Sequence, residues 1–137
     1  MAKITYSSVY STAETLLPEV VPLVKEVEEH PELGYEEFRA ADLQRDFLAR
    51  HGFRVQNPLT ERPTAFAADY TASPAPEIPF AAFLTEYDAL PELGHACGHH
   101  LIMGAGLLAA LILAWRIPGT GEPGGLLSMG SHRVGHD

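Results

Sequence analysis

Cysteine, basic charge and long apolar runs are all scarce in this sequence, and each shortage narrows what the chain can be. Cys97 is the one cysteine among 137 residues. A single thiol excludes an internal disulfide framework and suits a reducing, cytoplasmic compartment. Nine Lys+Arg stand against 18 Asp+Glu, a formal charge of -9 with histidine neutral. Nucleic acid and anionic membrane both need a basic surface, so neither is expected as a partner. The opening residues MAKITYSSVYSTAE hold no apolar h-region and so no expected secretory signal. No repeat at solenoid periods is present. The uncharged run Leu101–Trp115 would span about 22 Å as a helix, short of the roughly 30 Å hydrocarbon core. A core helix packed on a sheet is therefore preferred to a membrane anchor, with Gly104, Ala105 and Gly106 allowing close approach.

What remains is an ordinary globular mixture, 46% hydrophobic and 20% charged, enough for one domain. Leu16, Leu17, Val20, Val21, Val24 and Val27 fall on helical spacing and leave Glu19, Lys25, Glu26 and Glu28 opposite. Pro18 and Pro22 interrupt this pattern, one suited to a first turn and the other to a kink. His30-Pro31 ends it. A second helix is expected from Tyr35 to about Arg50. Ala40, Leu43, Phe47 and Leu48 form its apolar stripe, Arg39, Asp42, Arg45, Asp46 and Arg50 face water, and Gly52 stops it. Strands are expected at Phe53–Val55, Thr64–Tyr70 and Ile78–Leu84, the last apolar on both faces like a covered central strand. The order predicts an α/β layered domain of two helices, about three strands and one buried helix. It runs from residue 13 to 115, after a flexible N-terminus (1–12) and before a disordered tail (116–137) rich in glycine.

Chemistry concentrates in Thr85–His100, TEYDALPELGHACGHH. In extended backbone, residues two apart point the same way, so Cys97 and His99 can converge on one ion across Gly98. Thiolate with imidazole suits Zn²⁺. Asp88, at the end of an apolar strand, is placed to orient a ligand histidine or steady a bound water. The plainer alternative stays open at this point: cysteine is often a small buried hydrophobe, His100 is placed to cap the following helix, and two ligands do not close a site.

Four segments taken together, HPELGYEE (His30–Glu37), PTAF (Pro63–Phe66), EYDALPELGHACGH (Glu86–His99) and the small-residue helix after it, resemble the amidohydrolase branch of metallopeptidase family twenty. This branch includes aminoacylases, carboxypeptidase G-type enzymes, auxin-conjugate amidohydrolases and β-alanyl dipeptidases. The resemblance covers about Ala13 to Ala114 and is most like the dipeptidase-like subgroup. It implies the N-terminal part of a zinc-exopeptidase-like catalytic domain, with Cys97 and His99 as metal ligands and Asp88 beside the metals. It implies two Zn²⁺ or Mn²⁺ ions, amide hydrolysis, and a small acyl-amino acid or dipeptide as substrate. Glu86 stands where more distant relatives place a metal-binding histidine and is given no ligand role. His100 replaces the Asn or Asp common in the branch. Glu36 and Glu37 are expected to be structural.

The Glu-Glu pair that supplies the base in such enzymes, and the later glutamate and histidine ligands, have no counterpart after His99 in these residues. Glu122 stands alone, and His132 and His136 match no ligand motif. The tail WRIPGTGEPGGLLSMGSHRVGHD resembles a translated short interspersed retroelement. The expectation is therefore a truncated hydrolase with weak or absent metal binding and no turnover alone. The alternative is a non-catalytic fragment that is unstable or self-associates through its apolar helix.

Overall fold

A computed structural model describes residues 5–71 and 81–116. Helix α1 spans Tyr6–Glu29 and starts well before the apolar spacing suggests. A capping box explains its start: Ser8 N–H donates to Thr5 Oγ1 at 3.2 Å and Thr5 N–H donates to Ser8 Oγ at 3.0 Å. Residues 6–12, placed by the sequence in a flexible N-terminus, are thus the first turns of α1. Both prolines lie inside this helix, contrary to a first-turn position for either. They sit on its exposed side, where the lost backbone bonds face water. Burial of Leu16, Val20, Leu23 and Val27 holds the opposite side in place. Leu17 and Val21, expected in the apolar stripe, face outward instead.

Helix α2 covers Phe38–Arg50 and buries Ala40, Ala41, Gln44, Phe47 and Leu48. Gly52, at φ 84°, lets the chain leave α2, and Phe53 N–H closes the turn on Leu48 O at 3.0 Å. Arg45 does not face water as expected. Its guanidinium donates to Asp42 Oδ1 and to the Pro63 carbonyl and lies over the Phe66 ring. Strands β1 (Arg54–Gln56) and β2 (Ala67–Asp69) pair antiparallel, with Val55 opposite Ala68. The fold is thus mixed α/β, with three helices and this two-stranded sheet among the described residues.

Part of the third expected strand, Ile78–Phe80, lies outside the described residues, as does the tail from residue 117. Ala81–Leu84 forms no strand, and Leu84 is 83% exposed rather than covered on both faces. An apolar run becomes a central strand only where neighbouring backbone can pair with it. None of the described residues offers that pairing to 81–84.

Helix α3 spans His99–Arg116 and packs chiefly on α1 rather than on the sheet. Met103, Leu107, Leu111 and Trp115 recur every fourth residue and meet the buried face of α1 and Phe47 of α2. Gly104 permits this approach, since a Cβ there would collide with Val24 Cγ2. No helix of the described residues is long and apolar enough to cross a membrane.

Candidate metal centre

The loop before α3 is held in place by the other sequence motifs. Ala89 N–H donates to Glu32 O at 2.7 Å, and Leu33 bridges Ala89 in parallel, so HPELGYEE is joined directly to EYDALP. The Glu32 carboxylate also caps α2, accepting from Arg39 N–H at 2.9 Å and Ala40 N–H at 2.8 Å. PTAF closes the arrangement. Thr64 Oγ1 donates to the buried Glu37 carboxylate at 2.8 Å, and Tyr87 O–H donates to the Thr64 carbonyl at 2.5 Å. Burial first, then the Glu37 charge, pushes the Tyr87 phenol up to about 12. Glu37 stands at the N-cap of α2, and its buried carboxylate accepts from Thr64 rather than capping the helix.

Asp88 is the centre of the site. Its Oδ1 lies 2.7 Å from His99 Nδ1, its carbonyl oxygen lies 3.1 Å from the same nitrogen, and Cys97 Sγ faces that carbonyl at 3.8 Å. All three residues singled out from the sequence therefore meet. The extended spacing proposed for Cys97 and His99 is not how they do so. Gly98 turns at φ 80° and His99 already belongs to α3, whose first turn begins with Leu101 and Ile102 donating to Gly98 O. The turn, not strand alternation, brings thiol and imidazole onto Asp88.

Glu86 Oε2 stands 3.1 Å from His99 Nε2, so the imidazole lies between two carboxylates. Residues 86 and 88 are two apart, and this spacing on one side of an extended segment was the signal available in the sequence. His100 does not join this group. Its ring is buried, with Nε2 3.9 Å from Glu28 Oε1 of α1 and centroid 5.0 Å from His95. Both ring nitrogens of His95 are shut off from solvent without a hydrogen bond. Burial first, then the charge of His100, lowers the His95 pKa, while the nearby Val27 carbonyl favours its protonated form without meeting hydrogen-bond geometry.

The donor chemistry fits the start of a zinc or manganese site. The Asp88 carboxylate engages His99 Nδ1, which would leave Nε2 as the nitrogen free to face an ion. A half-buried thiol lies on the same loop. The set is not closed: no three donors drawn from Glu86, Asp88, Cys97 and His99 lie within 4.8 Å of one another. Among the described residues such a trio is formed by Glu26, Glu29 and His30, at the exposed end of α1.

No family model matches the chain. The curated Xaa-Arg dipeptidase of Mus musculus is 48% identical over an alignment 88 residues long, gaps included, that covers 59% of this chain and 20% of that protein. Xaa-Arg dipeptidase of Homo sapiens is 40% identical over 103 residues, 68% of this chain and 23% of that protein. A component of the p-aminobenzoyl-glutamate hydrolase of Escherichia coli (strain K12) is 31% identical over 106 residues, 65% of this chain and 21% of that protein. The matched stretch spans only about a fifth to a quarter of these relatives. That stretch of the chain is homologous to amidohydrolases and dipeptidases of metallopeptidase family twenty.

Proposed function

We propose that residues 13–115 are the N-terminal part of the zinc-exopeptidase-like catalytic domain of a metal-dependent amide hydrolase. The observation that carries this reading is the grip of Asp88 on His99 Nδ1 at 2.7 Å, with Cys97 turned to the same residue. Cys97 and His99 Nε2 would hold Zn²⁺ or Mn²⁺, which when bound supplies Lewis acidity to a scissile carbonyl. Asp88 keeps the imidazole oriented. The Glu32–Ala89 and Tyr87–Thr64 bonds anchor the residues on either side of Asp88. The names of the relatives support an amide bond to an amino acid, in a dipeptide or an acyl-amino acid, as the substrate class. A free, half-buried thiol is consistent with a reducing, cytoplasmic setting.

These 137 residues hold no Glu-Glu pair after His99, and no turnover is expected from them alone, because in this reading that pair supplies the base that takes a proton from the attacking water. The test is a chimera in which residues 13–115 replace the matched stretch of the mouse relative. It is expected to hydrolyse an Xaa-Arg dipeptide with added metal, and Cys97→Ala or His99→Ala lowers kcat/KM by at least about a hundredfold. Turnover that survives both substitutions would defeat the reading. Turnover by the isolated chain would defeat its inactivity.

A second reading, self-association, draws on one observation: Leu84, Leu93, Leu101 and Ile102 are exposed, Leu101 to 61%. Size-exclusion chromatography with light scattering is then expected to show a dimer or larger species that Leu101→Lys disperses. A monomer at all concentrations counts against it.

A further inference from the structure

Glu86 stands outside the ligand pair assigned above, yet its carboxylate meets the coordinating nitrogen of His99. We propose that Glu86 is a further protein ligand of the same divalent cation, sharing one edge of its coordination sphere with His99 Nε2. The proposal rests on the metal-dependent reading of this site and goes beyond its two ligands.

The argument is one of distances. Zinc bonds to imidazole nitrogen and carboxylate oxygen are each about 2.0–2.2 Å. Two such donors on one ion, at angles between a right angle and the tetrahedral value, stand about 2.8–3.6 Å apart. Glu86 Oε2 and His99 Nε2 are separated by 3.1 Å, within that range, so one ion could take both without moving either. Nδ1 does not compete for the role, because Asp88 holds it through both carboxylate and carbonyl. Asp88 therefore lies on the far side of the ring from the ion, as an orienting carboxylate does. Cys97 Sγ faces the Asp88 carbonyl at 3.8 Å and must turn about its side-chain bond to join. Glu86 thus supplies the donor atom that already faces the coordinating nitrogen.

An ordinary Glu86–His99 ion pair makes the opposite forecast. If the carboxylate merely occupies Nε2, it competes with the cation, and removing it tightens metal binding. The sign of one substitution separates the two.

Co²⁺ is titrated into the 137-residue chain and followed by visible absorption, with far-UV circular dichroism checking the fold. The exposed Glu26–Glu29–His30 trio is first disabled by Glu29→Gln with His30→Ala, so that it takes no cobalt. Glu86→Gln is expected to raise the Co²⁺ dissociation constant at least about tenfold, no less than the loss of an outer-shell partner, and to weaken the ligand-field bands. Glu86→Asp is expected to recover part of that loss. Glu86 is more than half exposed, so neither change threatens folding. Unchanged or tighter binding in Glu86→Gln overturns the proposal. If that binding still requires Cys97 and His99, judged by the sulfur-to-cobalt charge-transfer band and by His99→Gln, the metal-dependent reading stands without it. Binding sensitive to Glu86 but indifferent to Cys97→Ser supports the proposal and removes the thiol instead. No binding by the parent chain overturns the proposal for these residues, and the metal-dependent reading is then decided by the chimera alone.

Discussion

A single phenol joins three of the sequence motifs. Tyr87 precedes Asp88, and its hydroxyl donates to the Thr64 carbonyl while Thr64 donates onward to Glu37. The fold keeps this phenol protonated well above its ordinary 10.0, up to about 12. In the unfolded chain it ionises near 10, so between pH 10 and 12 the unfolded state binds fewer protons than the folded one. This share of stability is complete below pH 10 and is lost as pH climbs toward 12. Tyr87→Phe is expected to cost about 1 kcal/mol at neutral pH through the lost hydrogen bond. It should also flatten the alkaline decline in urea-unfolding midpoint. An unchanged alkaline slope would mean that another group governs it. None of this network is legible in the sequence, because Glu37, Thr64 and Tyr87 are brought together only by the tertiary fold. That Asp88, Cys97 and His99 come together was legible from their residue types and order. Their geometry was not, since the positive φ of Gly98 replaces an extended strand with a turn into a helix.

The body of α3 was legible as an uncharged run, since that helix is apolar nearly all round rather than striped, and helix periodicity located α2 closely. It missed the start of α1, where a Thr-Ser capping box and later burial outweigh two internal prolines. Capping of α2 by Glu32 was equally hidden, because the carboxylate reaches back from seven residues upstream of Arg39. The α1–α3 contact now decides a substitution with two opposing effects. Alanine favours a helix over glycine by about 1 kcal/mol. At Gly104, however, the added methyl meets Val24 Cγ2 at a separation real side chains do not adopt, and valine is stiff about its first torsion. Overpacking of this kind costs about 1–3 kcal/mol, so Gly104→Ala is expected to destabilise the chain in denaturant unfolding. Adding Val24→Ala should make Gly104→Ala neutral or stabilising. The pair would then show a coupling energy of about 1 kcal/mol or more in a double-mutant cycle. Additive effects would mean that the helices do not approach as closely as they do here.

At the scale of the whole molecule, the end of α2 is tied to α1 through His51, and two forces on that imidazole disagree. The ring is buried against Phe47, with Nε2 3.2 Å from Glu19 Oε2 of α1. The Glu19 charge and hydrogen bond favour the protonated ring, while the neighbouring Arg50 opposes it. Burial is the largest influence, and the net result is a pKa below the ordinary 6.5. The sign follows from proton counts: as pH falls below 6.5, the unfolded chain takes up a proton at this position that the folded chain still refuses. Stability from this source is therefore full above pH 6.5 and declines on acidification until the folded ring also titrates. Urea-unfolding midpoints compared at about pH 7.5 and about pH 5 should fall with acidity. The fall should be smaller in His51→Gln, which cannot take up the proton. If acidification instead raised the midpoint of the parent chain and not of the variant, the ion pair with Glu19 would outweigh desolvation. The α1–α2 contact would then be held by charge rather than by burial of a neutral ring.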